Sequence, residues 1–222
     1  MNLFHFISDF FNDSAHWQGY DGIPTRVGEH IQYTLQALGI AALIALPVGL
    51  VTGHYGRGGN ALAFIAVAGR ALPTFGLLVL MTLLVGFGMV NVMTPLVILA
   101  VPPILVTTYE AMRSVDPSPV DAARGMGMGE LGVLFQVEVP AALPLILSGL
   151  RSAAIQIVST ATIAAYVALG GLGRYIVDGL YQRNYEKVVG GATLVAGLAL
   201  VTLGVFWAAG RFAVSPGVRR RV

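Results

Sequence analysis

Five apolar stretches, roughly residues 33–53, 61–86, 92–111, 142–169 and 188–212, each reach the ~20 residues that a helix needs to cross a bilayer. Within hydrocarbon the backbone must satisfy its own hydrogen bonds, so runs of this length read as spanning helices. The expected fold is therefore all-α, a polytopic membrane helical bundle with about five transmembrane helices. Composition agrees: of 222 residues, 56% are hydrophobic and 11% charged, against roughly 25% charged in an average soluble domain. The length suits one membrane domain and leaves no room for an ATPase, so any energy source must be a separate chain.

Several chemistries are excluded early. The chain has no cysteine, and His5, His16, His30 and His54 are scattered without ligand spacing, so neither redox nor metal chemistry is indicated. No catalytic set is evident. A net charge of +2 is too small to imply nucleic acid, and Arg219, Arg220 and Arg221 read better as a cytoplasmic membrane anchor.

Five spans place the termini on opposite sides. With the tail inside, the inner face carries Arg57, Arg113, Arg124, Arg211 and the three tail arginines, and the outer face Arg26, Arg174, Arg183 and Lys187. This bias favours the N-terminus outside. The first thirty residues lack the basic start and cleavage site of a secretory leader. Leu3, Phe4, Ile7, Phe10 and Phe11 recur at helical spacing, which leaves two readings, an amphipathic helix in the outer interface or an unordered end. Residues 1–30 are thus an external or interfacial segment, 31–212 the membrane domain, and 213–222 a basic cytoplasmic tail.

Between the third and fourth spans lies a cytoplasmic segment, 113–140, whose residues 121–140 form a polar, glycine-rich island. A helix through Ala122, Ala123, Gly125, Gly127 and Gly129 would carry little side-chain bulk and admit another protein's backbone closely. Inside the spans, Arg70 precedes Pro73, whose missing donor should kink or break the second span. Arg70 then marks either a path-lining elbow or a span boundary at headgroup level. The fourth span carries Ser148, Ser152, Gln156, Ser159, Thr160, Thr162 and Tyr166 at three- and four-residue steps. Such a stripe either walls a hydrophilic path or packs tightly on neighbours through its hydroxyls. Glycines 39, 49, 86, 88, 190, 191, 197 and 204 are expected to be helix-packing sites. Gly170, Gly171 and Gly173 follow a span rather than a strand, so they read as a turn into a short external helix and not a phosphate loop.

The island resembles the cytoplasmic signature of ABC importer permeases: an acidic-Ala-Ala triplet, Gly after three residues, then nine more before hydrophobic-x-hydrophobic-Pro. Asp121, Ala122, Ala123, Gly127, Val137, Val139 and Pro140 fill those places, with Asp121 standing for the family's Glu. Residues 122–128, 144–151, 160–165 and 170–173, with Gly179 and Leu180, resemble the osmoprotectant branch that carries glycine betaine, carnitine, choline or proline betaine. Arg70, Ala71 and Thr107 depart from it, where Gln, Thr and Asn are expected.

The resemblance implies the type I importer permease fold and a core of two permease subunits, identical or sister chains. That core stands on two ATPase subunits, which carry ATP and Mg, and faces an external binding protein. Asp121, Ala122, Ala123, Gly127, Val137 and Pro140 would couple to the ATPase. Arg70, Pro73, Ser152, Gln156 and Ser159 would line the path. The chain itself would hold no cofactor and would sit in the inner or plasma membrane of a prokaryote. No compact aromatic cluster for a quaternary ammonium ligand is evident, so selectivity is expected chiefly on the binding protein.

Other classes fit less well. An intramembrane enzyme needs paired Asp, Ser with His, or a His-rich set, and a channel or secondary carrier usually carries carboxylates deep in several spans. Within transport the alternative is an ABC permease for an amino acid such as methionine.

Overall fold

A computed structural model describes residues 3–167 and 169–213, with the backbone alone at Arg70. Its centre is α5 (Met89–Arg113), whose Val92, Leu96, Ala100, Ile104, Thr108 and Met112 are buried. Two long helices flank it, α2 (Ile23–His54) and α8 (Val139–Ala161). In lipid, helices associate by close packing rather than by exclusion of water, so small residues mark the crossings. A Cβ added to Gly49 would stand 2.8 Å from the Cβ of Thr108, and one on Gly149 2.8 Å from that of Thr107. Of the glycines expected to pack, Gly49, Gly190 and Gly191 do so; Gly39, Gly197 and Gly204 have nothing within 4 Å, and Gly86 and Gly88 form a turn.

The second span differs from the expected single helix at 61–86. It consists of α3 (Gly59–Ala71) and α4 (Thr74–Val85), bent by 86°. Leu72, ahead of Pro73, is extended at φ −70 and ψ 122, as the proline ring requires of its predecessor. With 12 residues, α4 is about 18 Å long, short of the ~30 Å hydrocarbon core. Among the described residues four helices are therefore long and apolar enough to cross alone, and the bent pair gives a fifth crossing if it counts as one.

The limits of other elements shift too. The first spanning helix begins at Ile23, so residues 23–30 belong to it rather than to the N-terminal segment. The fourth stops being α-helical at Ala161 and continues as a 3-10 turn over Thr162–Val167. The chain then enters α9 (Gly173–Gln182) and α10 (Tyr185–Ala213). The expected tail arginines lie outside the described residues.

The N-terminal residues form an ordered helix, α1 (Leu3–Asn12). Phe10 is fully buried, edge-on to Tyr175 at 5.2 Å and stacked on His16 at 4.3 Å, in space left by Gly190 of α10. Leu3 and Phe4 remain exposed, so α1 is docked by Phe10, with Phe11 packed beside it, and keeps an outward apolar edge. Around it, the N-terminal end of α2 is tied to the turn before α9. Glu29 pairs with Arg26 at 2.8 Å and accepts from the Gly171 N–H at 2.7 Å. The Tyr175 hydroxyl donates to the Asp21 carbonyl at 2.5 Å; chiefly through burial it is pushed up to about 12, so it stays a donor at any physiological pH. The opposite end of α2 meets the polar island.

Candidate coupling segment and translocation face

The island folds as two short helices and not one. The first, α6 (Pro117–Gly125), starts where Asp116 accepts from the Ser118 N–H at 2.9 Å, with Pro117 in the first turn. It ends at Gly127, which has φ +87. The Met128 N–H bonds the Ala123 carbonyl at 3.1 Å and the Gly127 N–H that of Arg124 at 2.9 Å, the two bonds of a Schellman cap. Gly127 is thus required by its left-handed backbone, and a Cβ there would meet nothing within 4 Å. This corrects the expectation that Gly127 and Gly129 lighten the face of one continuous helix.

After the cap come α7 (Glu130–Gly132) and a π-turn over Val133–Glu138, which runs into α8. Pro140 lacks the N–H that would bond back one turn, and its ring crowds that carbonyl, consistent with the widened turn preceding it. Val120, Ala123 and Val133 form a small core with Val115, Met128 and Val137 packed against it. Of the signature residues, Ala123 and Val137 therefore hold the segment together. Asp121, Ala122, Gly127 and Pro140 are exposed, together with Met126, Leu131 and Phe135. An exposed apolar patch beside polar groups is the composition of an interaction surface.

Along α8, Ser152, Gln156 and Ser159 all lie on the protomer's open face, while Ala153, Ala154, Ile157 and Val158 are buried behind them. The Ser152 hydroxyl donates to the carbonyl of Ser148 at 3.0 Å and that of Thr162 to Ser159 at 2.7 Å, both within the same segment. These bonds do not fix α8 to neighbours, as the packing reading requires. Thr160 leaves the stripe and faces Thr74, Leu78 and Pro95.

The bend at Pro73 stands beside the break at Ala161. There Phe75 and Tyr166 meet edge-on with ring centroids 5.5 Å apart, and both are about half-exposed. Such a pair was not legible in the sequence, because nothing in the spacing relates the second span to the end of the fourth. Arg70 occupies the last turn of α3, and its side chain lies outside what the structure describes. Sequence reasoning also passed over His54 and Glu138, which are buried against one another beneath the island. The available signal was a carboxylate at the variable place between Val137 and Val139.

Four long spans, a broken fifth and a capped segment slung between two spans define the fold of an ABC importer permease. The chain superposes on a chain of the MetNI methionine ABC transporter, in an inward-facing form, with a TM-score of 0.75, 22% identity, and coverage of 87% of this chain and 96% of that one. An amino acid ABC transporter crystallised with histidines gives 0.67 at 18% identity, covering 85% and 92%.

The family described as "Binding-protein-dependent transport system inner membrane component" matches residues 45–220, and the chain belongs to it. It is 33% identical over 192 residues to the choline transport system permease protein OpuBB of Bacillus subtilis (strain 168), covering 86% of this chain and 88% of that protein. It is 31% identical over 176 residues to the glycine betaine/carnitine/choline permease OpuCB of the same organism, covering 79% and 81%. The osmoprotectant import permease OsmW of Salmonella typhimurium matches at 31% over 180 residues, covering 78% and 83%. The chain is a permease subunit of an ABC importer, an inner-membrane transport component.

Proposed function

We propose that the chain carries quaternary ammonium osmoprotectants, such as glycine betaine, choline or carnitine, across the inner membrane of a prokaryote. The observation that carries this reading is the polar face of α8, open on the protomer and leading to the half-exposed rings of Phe75 and Tyr166. A polar stripe is costly against lipid and stable against water. Aromatic faces attract a quaternary cation that cannot donate a hydrogen bond. A second permease subunit, a copy or a sister chain, covers this face and closes the path between the two.

The segment 113–140 docks on ATPase subunits that bind ATP and Mg, and this chain holds neither. Substrate arrives from a binding protein on the outer face. The N-terminus is outside and the C-terminus cytoplasmic. The α1, α9 and α2 N-terminal cluster is then external, and the island, at the far end of α2, is internal. Closure of the ATPase pair rocks the bundles and switches which end of the path is wet. A methionine permease is the alternative, and its support is likeness of fold alone.

The test is ATP hydrolysis by the permease–ATPase assembly in liposomes with the binding protein loaded in turn with choline, carnitine, glycine betaine and methionine. The reading expects stimulation by the quaternary ammonium ligands and none by methionine; the reverse order would replace it.

A further inference from the structure

Beneath the exposed island is a polar cluster, buried at His54 and Glu138, formed by three parts of the chain. His54 is the last residue of α2, and its ring is only 3% exposed. Its Nδ1 lies 2.6 Å from Oε2 of Glu138, itself 8% exposed, and its Nε2 lies 3.1 Å from Oε2 of Glu130. Glu130 in turn accepts twice from Arg124 at the end of α6, from Nε at 3.1 Å and Nη2 at 2.9 Å. Ionised carboxylates only accept, so the imidazole is the donor wherever it bonds them. The buried part is the His54–Glu138 pair, so removing either of these two would strand a polar group with almost no solvent, whereas Arg124 and Glu130, 40% and 52% exposed, stay hydrated.

The position of this cluster is what gives it a role. The island is joined covalently to α5 on one side and to α8 on the other. Neither connection reaches α2. Through His54, α2 is gripped at the π-turn and, by way of Glu130, at the cap of α6. From His54 only Tyr55 to Gly58 separate α2 from α3, the first arm of the broken span. The loop is held as well: the Arg113 guanidinium sits where a Cβ on Gly56 would be 2.9 Å from its Nη1.

We infer that His54 is a positioning residue for coupling, a strut by which movement of the island is passed into α2, through the 55–58 loop, and on to the elbow at Pro73. Glu138 and Glu130 are its two anchors. The island thus drives two things at once, α8 directly and the broken span through His54. This inference rests on the reading that segment 113–140 docks on the ATPase.

The test uses the intact permease–ATPase assembly in liposomes. The native chain has no cysteine, so single sites are clean. Leu72→Cys reports on the elbow and Ser152→Cys on α8, each labelled by a water-soluble thiol reagent with and without ATP. Without further change, both labelling rates should respond to nucleotide. With His54→Leu, the response at Leu72→Cys should fall about tenfold, within the usual range for coupling between sites, while that at Ser152→Cys persists. The double variant His54→Leu/Glu138→Leu replaces the polar pair by an apolar one and should keep assembly with the ATPase, measured by co-purification, without restoring the elbow's response.

An undiminished response at the elbow in both variants overturns the strut. Equal loss at both sites in the double variant overturns it in favour of a general packing role. Absence of any nucleotide response in the unmodified protein rejects the docking reading itself, and that outcome is recognisable before His54 is touched.

Discussion

His30 of the first span donates from Nε2 to the backbone carbonyl of Val158 in the fourth, at 2.9 Å. The Leu172 N–H donates to Nδ1 of the same ring at 3.3 Å, which fixes the proton on Nε2. In a continued α-helix the Val158 carbonyl would accept from the Thr162 N–H. Its engagement by His30 coincides with the change to a 3-10 turn at Thr162, at the end of the open face of α8. One buried imidazole therefore joins α2, the break in the fourth span and the turn into α9.

His30→Leu would leave a buried carbonyl and a buried N–H without partners. The expected loss is roughly 2–4 kcal/mol for the two orphaned groups. Thermal unfolding of the detergent-solubilised protein measures it, and an unchanged melting temperature would contradict the tie.

Gly127 tests the cap of α6. A β-branched residue in the left-handed region should destabilise the turn by about 1–2 kcal/mol and displace the exposed patch of Met126, Leu131 and Phe135. Asn, which tolerates that conformation, should be milder. Affinity for the ATPase, titrated in nanodiscs, is expected to rank Gly above Asn above Val; equal affinities would show that the cap does not shape the docking surface.

The aromatic pair makes a third prediction. Phe75→Leu and Tyr166→Leu should each raise KM for a quaternary ammonium substrate about two- to fivefold, from ~0.5–1 kcal/mol of cation–π attraction per ring. Tyr166→Phe should leave KM near its original value, because the ring face is kept. A large effect of Tyr166→Phe with none from Phe75→Leu would point to the hydroxyl and away from the rings.

Hydropathy located the long spans, and Pro73 located the break in the second, because both are properties of local sequence. The 86° angle at that break was not legible, since it depends on how α3 packs on α5, where a Cβ on Gly69 would stand 2.6 Å from Pro102. The island's residues were readable as a motif, but not its two-helix form. A glycine at a helix cap and a glycine on a helix face look the same in sequence, and only φ distinguishes Gly127 from its neighbours. The histidines read as scattered because spacing along the chain was the criterion. His30 and His54 find their partners across the bundle, at Val158 and Glu138. Phe10 likewise needed Gly190 to be seen as a docking residue and not a free interfacial one.

A translocation path along α8 requires that its open face border water during transport. Gln156→Cys and Ile157→Cys, adjacent in sequence and opposite in burial, decide it in the assembled transporter. Labelling by a small water-soluble thiol reagent should be rapid at Gln156→Cys and change between the nucleotide-free and ATP-bound states, while Ile157→Cys stays inert in both. Inertness of Gln156→Cys in every nucleotide state, or faster labelling at Ile157→Cys, would contradict the translocation face.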